Sequence, residues 1–293
     1  MTQLTLGSLA SGIGGLDLAV ETIFDAVPIW HAEFNKAAAA TYSKHWDTPN
    51  LWDITKIDWS TLERPDIICG GYPCQPFSLA GKRKGEDDPR NLWPYFATAI
   101  RTLRPRFVVL ENVAAHLSLG FGRVLGDLAA AGYDAEWGVF RASQVGATHR
   151  RERIFIVAYP IGGGYTGDSF DKQRRIQPTS SFKATPNWSQ GCSRDSNKGA
   201  DQQTTDARTH QFDFRHYAPA VRRWELVMTE EVPCPAIGRH MNPSFVRWMM
   251  GYPPEWTSGS KAQQLRMLGN AVVPQQGEFA IRHLLARVNL REE

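Results

Sequence analysis

The sequence has few of the features that mark a membrane protein, a secreted protein or a metal-stabilised one. No uninterrupted apolar run approaches the roughly 18 residues that a membrane helix requires. The chain opens without the basic start, apolar stretch and small-residue cleavage site of an export signal. Its four cysteines form no CxxC pair and no short cluster with histidine, which argues against a structural zinc site and a disulfide framework. We therefore expect a cytoplasmic protein with no metal site and no membrane partner.

What is present is an ordinary globular composition with a small excess of positive charge. Apolar residues make up 42% of the 293 positions, which excludes global disorder. A chain of this length can bury the core of one large domain, or of a large domain and a small one. The formal net charge of +3 permits an anionic partner but does not by itself indicate DNA.

The first half of the chain alternates short apolar runs with helical patterns, which predicts a doubly wound α/β layer. The predicted strands are Leu4–Ala10, Val27–Glu33, Asp66–Gly70, Phe107–Asn112, Ala135–Arg141 and Arg153–Tyr159. Apolar residues three to four positions apart predict helices at Leu16–Phe24, Leu92–Leu103 and Phe121–Ala131.

The composition changes after Pro160. The stretch that follows, to about His216, is rich in Gly, Ser, Thr, Asn, Gln and Asp and has few periodic apolar positions, so it cannot form core. Patterning resumes at Ala218 and continues in two compact blocks, Asn242–Trp256 and Leu265–Arg287. The second block is expected to end in a helix.

A strand that runs into a glycine cluster opens the chain, at residues 6–17 (LGSLASGIGGLD). Glycines let the backbone approach a ligand closely, and Glu33 lies about 20 residues further on, where a carboxylate binds ribose hydroxyls. The spacing is not GxGxxG, and no phosphate-binding signal accompanies it, so the block favours an adenosyl ligand without pyrophosphate. Taken alone, it also allows a tight structural turn or a nicotinamide-dependent oxidoreductase.

The strand at Asp66–Gly70 leads to a cysteine that stands between two prolines, in residues 71–78 (GYPCQPFS). Proline fixes φ, so this loop is preorganised. A thiol at the carboxyl edge of a parallel sheet lies where open α/β folds bind ligands, and the basic residues after it favour its thiolate. Cys74 is therefore a candidate nucleophile, whereas Cys69, inside an apolar strand, is predicted to be inert.

Two further groups of charged residues are candidates for chemistry. Glu111 follows the apolar run Phe107–Leu110, so we expect it at a strand end beside the Cys74 loop, where burial raises a carboxyl pKa. A helix cap or an ion pair with arginine is the structural alternative for Glu111. Arg151 and Arg153 alternate along the start of a strand, which places both side chains on one side. A solvated arginine cluster is the alternative for this pair.

Four motifs occur in the order found in DNA (cytosine-5) methyltransferases, and the chain resembles that family. They are residues 71–78 (GYPCQPFS), 111–113 (ENV), 144–153 (QVGATHRRER) and 269–272 (GNAV). The resemblance implies a doubly wound mixed sheet of the S-adenosylmethionine-dependent methyltransferase type, with a small irregular target-recognition domain.

The resemblance also implies a division of the chain and a reaction. Residues 1–158 would form the catalytic and cofactor-binding domain, 159–258 the target-recognition region, and 259–293 a C-terminal segment that returns to the catalytic domain. The implied reaction moves a methyl group from S-adenosylmethionine to carbon 5 of a cytosine in DNA, through a covalent bond from a cysteine to carbon 6. The implied catalytic residues are Cys74 as nucleophile, Glu111 as general acid at N3, Arg153 near the base and Arg151 as support for the catalytic loop.

Cofactor-binding positions follow from the resemblance residue by residue. They are Ala10, Gly12, Ile13, Gly14, Glu33, Phe34, Asp53, Ile54, Pro73, Leu92 and Asn270. Glu33 would bind ribose, Phe34 would lie against adenine, and Asp53 would accept a hydrogen bond from the adenine amino group. A turn or helix-cap role is the alternative for Asp53, as a turn role is for Asn270.

Double-stranded DNA is the implied partner, and the target cytosine must leave the helix to be reached. The expected DNA contacts are Gln75, Ser78, Lys82, Arg83, Arg90, Arg174, Arg175, Arg222 and Arg223. We expect a monomer, since extruding one base requires no two-fold symmetry, and a restriction endonuclease acting on the same site is a candidate partner. A tRNA cytosine-5 methyltransferase and a catalytically silent DNA-binding relative are the alternatives.

Overall fold

The computed structural model describes residues 3–73, 91–162 and 214–290, and its main feature is a sheet of six strands. The strands are β1 (Leu4–Leu9), β2 (Ala26–Ala32), β3 (Ile67–Gly71), β4 (Phe107–Val113), β5 (Tyr133–Arg141) and β6 (Glu152–Pro160). A short hairpin, β7 (Ala236–Ile237) and β8 (His240–Met241), lies apart from this sheet. All six predicted strands are confirmed, each to within two residues at either end.

The helices within the described ranges are α1 (Gly15–Phe24), α2 (Lys36–Tyr42), α3 (Trp93–Leu103), α4 (Phe121–Ala130), α5 (Ala218–Met228), α6 (Pro243–Met249), α7 (Lys261–Asn270) and α8 (Pro274–Leu290). The three helices predicted in the first half of the chain are confirmed. The block Leu265–Arg287 ends in a helix, α8, as expected, and it also contains the second half of α7. Among the described residues, no helix is long and apolar enough to cross a membrane.

The strand order is β2-β1-β3-β4-β6-β5. Strands β2, β1, β3 and β4 are parallel, whereas β6 is antiparallel to both of its neighbours. The predicted doubly wound mixed sheet is therefore confirmed. Because the four parallel strands end at one edge, the residues that follow them gather there, and this is the edge where open α/β sheets bind ligands.

The two faces of the sheet are covered by different helices. In β3, Ile67 and Cys69 pack on the side of α1 and α8, whereas Ile68 packs on the side of α3 and α4. This follows from the alternation of side chains along a strand. Cys69 is a free and fully buried thiol, as predicted.

A third hydrophobic cluster joins the glycine turn after β1 to the C-terminal helices. It contains Ile13 together with Trp224, Trp248 and Trp256. The indole Nε1 of Trp256 donates a hydrogen bond to the Ile13 carbonyl at 2.9 Å. The last third of the chain thus packs directly against the first candidate ligand-binding turn.

Candidate active site

The carboxyl edge of the sheet holds a buried ion pair. Oε1 of Glu111, near the end of β4, lies 2.9 Å from Nε of Arg153 on β6, and 12% of the glutamate side chain is exposed. Burial raises the pKa of Glu111, while the charges of Arg153 and Arg151 oppose that rise. The structure thus brings together three of the four predicted catalytic residues around a carboxyl group that holds its proton more tightly than usual.

Gly71 provides the space that this carboxyl occupies. The register of the sheet pairs Gly71 of β3 with Glu111 of β4. A Cβ atom at position 71 would lie 3.1 Å from Oε2 of Glu111, which is closer than ordinary packing allows. Glycine at position 71 therefore avoids a close contact with the Glu111 carboxyl, and this steric reason does not depend on backbone flexibility.

Arg151 does not lie in the strand, so the predicted alternation with Arg153 is wrong as a reason for their proximity. β6 begins at Glu152, and Arg151 has φ +37°, in the left-handed region. Its Nη2 donates hydrogen bonds to the carbonyls of Gly269, at 3.0 Å, and Ala271, at 2.6 Å. Arg151 is therefore held by the C-terminal segment, and it acts on Glu111 through its charge.

Asn112 fixes the backbone that leads to the proline-flanked loop. Its buried amide Nδ2 donates a hydrogen bond to the carbonyl of Tyr72 at 2.9 Å. Pro73, half-buried, is the last described residue before the loop. The predicted nucleophile and five predicted DNA contacts lie outside the described residues: Cys74, Gln75, Ser78, Lys82, Arg83 and Arg90.

The glycine turn and Glu33 form the predicted cofactor edge. Glu33, which is 9% exposed, accepts hydrogen bonds from the backbone N–H groups of Gly12, at 2.8 Å, and Asn35, at 2.7 Å. Burial raises the pKa of Glu33 against the effect of these two donors. Ala10, Gly12 and Gly14 all have positive φ, so the chain doubles back sharply after β1.

Space for a ligand is present beside Phe34, the residue that follows Glu33. A Cβ atom at Gly12 would meet nothing within 4 Å. A cavity of about 880 Å³ is lined by Phe34, Trp52 and Asp53 among others. This volume is within the range of about 300–1,000 Å³ typical of small-molecule sites. Phe34 is 74% exposed, so its ring is free to stack on a planar group.

Asp53 has a local structural role. Its carboxylate caps the short 3-10 helix Ile54–Lys56 by accepting hydrogen bonds from the N–H and the hydroxyl of Thr55. These hydrogen bonds lower the pKa of Asp53. The helix-cap interpretation is thus confirmed, and it leaves the second carboxylate oxygen near the exposed Lys56 at the cavity.

The remaining predicted cofactor residues are more dispersed. Ile13 and Ile54 are buried in hydrophobic clusters and present only backbone to a ligand. Leu92 precedes α3 and is half-buried, and Asn270 is exposed at the end of α7. Asn270 directly follows Gly269, whose carbonyl accepts a hydrogen bond from Arg151. The end of α7 therefore brings a predicted cofactor residue next to the arginine motif.

Two of the predicted DNA contacts are described beyond the loop. Arg222 and Arg223 are exposed on α5, where both guanidinium groups are accessible to a partner. Arg174 and Arg175 lie outside the described residues.

Beneath the glycine turn lies a buried polar cluster that sequence reasoning missed. Asp17 on α1 is 1% exposed and accepts a hydrogen bond from the Tyr42 hydroxyl at 2.8 Å. Burial raises the pKa of Asp17 to about 6, although hydrogen bonds with Ser8, Tyr42 and Cys69 lower it. The only sequence signal was an acidic residue in the apolar stripe of α1, which indicates a specific buried partner.

Asp17 predicts a distinct pH dependence of stability. Its carboxyl binds a proton more tightly in the folded protein than in the unfolded chain, so the free energy of unfolding should fall as the pH rises. The expected loss is about 3 kcal/mol between about pH 4 and pH 7. In Asp17→Asn this contribution should be absent, so the total loss across that range, measured by urea unfolding, should be smaller than in the unaltered protein. The exposed Asp25→Asn, at the end of the same helix, is the control. An unchanged pH slope in Asp17→Asn would contradict the prediction.

Comparison with known proteins finds similarity in the first half of the chain. A model of the family described as C-5 cytosine-specific DNA methylase matches residues 4–162. Type II methyltransferase M.BsuFI of Bacillus subtilis is 34% identical over 175 residues, which cover 58% of this chain and 42% of that protein. Type II methyltransferase M1.ScrFI of Lactococcus lactis subsp. cremoris is 36% identical over 156 residues, covering 52% and 40%. The chain spans about two fifths of the length of these curated relatives.

Similarity to solved structures extends over nearly the whole chain. The structure of the Entamoeba histolytica methyltransferase EhMeth has a TM-score of 0.62 and covers 98% of this chain and 99% of its own. The two sequences are 17% identical. At this identity the match shows a common fold.

Proposed function

Because this chain belongs to the family of C-5 cytosine-specific DNA methylases, we propose that it methylates carbon 5 of a cytosine within a specific sequence of duplex DNA. S-adenosylmethionine is the proposed methyl donor. The observation that carries the proposal is the buried Glu111–Arg153 pair, which lies beside Gly71 at the sheet edge where the chain leads through Pro73 to Cys74. A raised carboxyl pKa at this position suits a proton donor to a base.

The chemistry requires a nucleophile because carbon 5 of cytosine belongs to an electron-poor aromatic ring. In the proposed first step the Cys74 thiolate forms a bond to carbon 6, and Glu111 gives a proton to N3. The electron pair released to carbon 5 would then form a bond to the methyl group, and the pair of the broken methyl–sulfur bond would stay on the donor's sulfur, which becomes a neutral thioether. Loss of the carbon 5 proton to a base breaks the bond to sulfur, which restores the thiolate, and Glu111 recovers its proton from N3.

The two arginines orient the base and the Glu111 carboxyl group relative to each other. Arg153 contacts Glu111 directly and has further N–H donors that can bind the cytosine carbonyl oxygen. Arg151 is anchored by two carbonyls and contributes positive charge close to the developing negative charge on the ring. Both residues therefore orient groups and balance charge, and neither is required to change its protonation state.

The residues at the glycine turn fit S-adenosylmethionine, which when bound supplies an electrophilic methyl group on a sulfonium. Backbone around Ala10, Gly12, Ile13 and Gly14 would hold the methionine portion. Glu33 would bind the ribose hydroxyls, and Phe34 and Asp53 would contact the adenine in the cavity that they line. Ile54, Pro73, Leu92 and Asn270 are proposed to complete the site.

Residues 159–258 are proposed to recognise the DNA target, with 1–158 as the catalytic domain and 259–293 returning to it. Exposed Arg222 and Arg223 suit phosphate contacts, which position a protein on DNA without specifying sequence. Extrusion of the cytosine costs a few kcal/mol, which the protein–DNA contacts must offset. A monomer suffices for this reaction, and an endonuclease that cleaves the same sequence is the proposed biological partner.

The test is transfer of labelled methyl from S-adenosylmethionine to nucleic acid, with duplex DNA and tRNA in competition. We expect label in duplex DNA, and bisulfite sequencing of DNA from cells that express the protein should show 5-methylcytosine in one recurring sequence. Label in tRNA alone would replace the proposed substrate, and DNA binding without any 5-methylcytosine would indicate a catalytically silent relative.

A further inference from the structure

A buried glutamine on α8 contacts the two segments that flank the active-site arginines. Gln276 is 0% exposed, and its Nε2 donates hydrogen bonds to the carbonyls of Phe140 and Arg151, each at 2.9 Å. Phe140 lies near the end of β5, and Arg151 immediately precedes β6. One side-chain amide therefore joins the last helix to β5 and to the residue that precedes β6.

A glutamine at position 276 is informative because its buried surroundings favour an apolar residue. The buried positions that follow on the same helix are Ala280, Ile281 and Leu284, which pack in the core. The Oε1 atom of Gln276 is buried and has no hydrogen-bond partner among the described residues. A buried polar atom without a partner is unfavourable, so the two bonds made by Nε2 must offset its presence.

The backbone that Gln276 holds is strained. Arg151 has φ +37°, a conformation that a residue with a side chain keeps only when its surroundings enforce it. Nη2 of the same residue is bound by the carbonyls of Gly269 and Ala271, just before α8. The C-terminal segment thus forms hydrogen bonds with both the backbone and the guanidinium group of Arg151. Arg153, two residues further on, carries the ion pair with Glu111.

We propose that Gln276 is a positioning residue, which fixes the turn at Arg151 and thereby sets the alignment of Arg153 with the Glu111 carboxyl. It contacts neither substrate nor cofactor and acts only through the arginine turn. This inference rests on the proposed methyl transfer for its effect on rate, but its structural part does not.

The adjacent residue supplies a matched control. Nε2 of Gln275 donates to the carbonyl of Gly251 at 2.9 Å, away from the arginine turn. Gln276→Met and Gln275→Met each remove a side-chain amide at neighbouring positions of one helix and replace it with a side chain of similar length. A general loss of helix packing should affect both variants, whereas a loss of arginine alignment should affect only the first.

The experiment measures kcat and KM for S-adenosylmethionine on duplex DNA, and amide hydrogen exchange in the protein alone. Gln276→Met should lower kcat by about tenfold to a hundredfold with KM unchanged, since small misplacements of a catalytic group have effects of this size. Exchange of the amides at residues 151–153 should be faster in Gln276→Met than in Gln275→Met. If Gln276→Met does not fold, Gln276→Asn, which keeps the amide but shortens its reach, should show the same changes to a smaller degree.

Equal kcat values in the two methionine variants would overturn the inference, as would a loss that appears only in KM for the cofactor. Unchanged exchange at residues 151–153 would overturn it without reference to activity. Absence of methyl transfer by the unaltered protein would instead defeat the proposed function, and the exchange measurement would still decide whether Gln276 fixes the turn.

Discussion

Cys74→Ser is expected to lower methyl transfer to duplex DNA by at least about a thousandfold, the scale on which removal of a nucleophile acts in other enzymes. A serine hydroxyl is almost fully protonated at neutral pH, whereas a thiol with basic neighbours forms a thiolate readily. The variant should still bind S-adenosylmethionine, because the residues proposed for the cofactor are unchanged. Incorporation of labelled methyl and calorimetric titration of the cofactor measure the two properties separately.

Cys69→Ser is the matched control for this substitution. Cys69 is fully buried in β3, and burial raises the pKa of its thiol well above the usual value, so it does not supply a thiolate. A duplex with 5-fluorocytosine in the target position should trap a covalent adduct in the unaltered protein and in Cys69→Ser, but not in Cys74→Ser. Undiminished methylation by Cys74→Ser, or an adduct mapped to another side chain, would refute the assigned nucleophile.

Glu111→Gln is expected to lower kcat by about a hundredfold to ten thousandfold while the affinity for S-adenosylmethionine stays the same. Glutamine has nearly the same shape but cannot give a proton to N3, and general acid catalysis contributes on this scale. The substitution also leaves the guanidinium of Arg153 without its carboxylate partner. Steady-state kinetics on duplex DNA measures kcat, and a parallel measurement of the cofactor Kd shows whether cofactor affinity is unchanged.

Glu33→Gln provides the comparison, since Glu33 is also buried at the carboxyl edge of the sheet and also has a raised pKa. It should raise KM for S-adenosylmethionine and leave kcat nearly unchanged. A Glu111→Gln variant with normal kcat, or one whose defect lies in cofactor affinity, would remove Glu111 from the proposed proton transfer.

The sheet and the position of Glu111 at its edge were predictable from the sequence because both depend on local patterns. An apolar run that ends in Glu111 and another that ends in Gly71 place their last residues at one edge once the strands are parallel. The helix-cap role of Asp53 was also open from the sequence, since aspartate before a short turn often serves this purpose. In each case the decisive contact lies within a few residues or between adjacent strands.

The position of Arg151 was not predictable because the start of a strand cannot be fixed from alternation alone. Alternation placed Arg151 near Arg153 on the assumption that both lie in one strand, but Arg151 lies outside that strand. The left-handed backbone at Arg151 is held by contacts with residues 269–276. The role of Gln276 could not be predicted from a sequence motif, since its hydrogen-bond partners are 125 and 136 residues away along the chain. The Asp17–Tyr42 contact belongs to the same class of tertiary features.

The hydrogen bonds from Trp256 to Ile13 and from Gln276 to Arg151 have a consequence for synthesis on the ribosome. A domain generally folds as a unit, so the strands of the sheet are synthesised first but become stable together with the residues that hold the turns at Ile13 and Arg151. A nascent polypeptide with Gln276 still in the exit tunnel therefore lacks both its arginine turn and the α8 residues that cover one face of the sheet. Competence for catalysis should therefore arise only when α8 has left the exit tunnel and packs on the sheet.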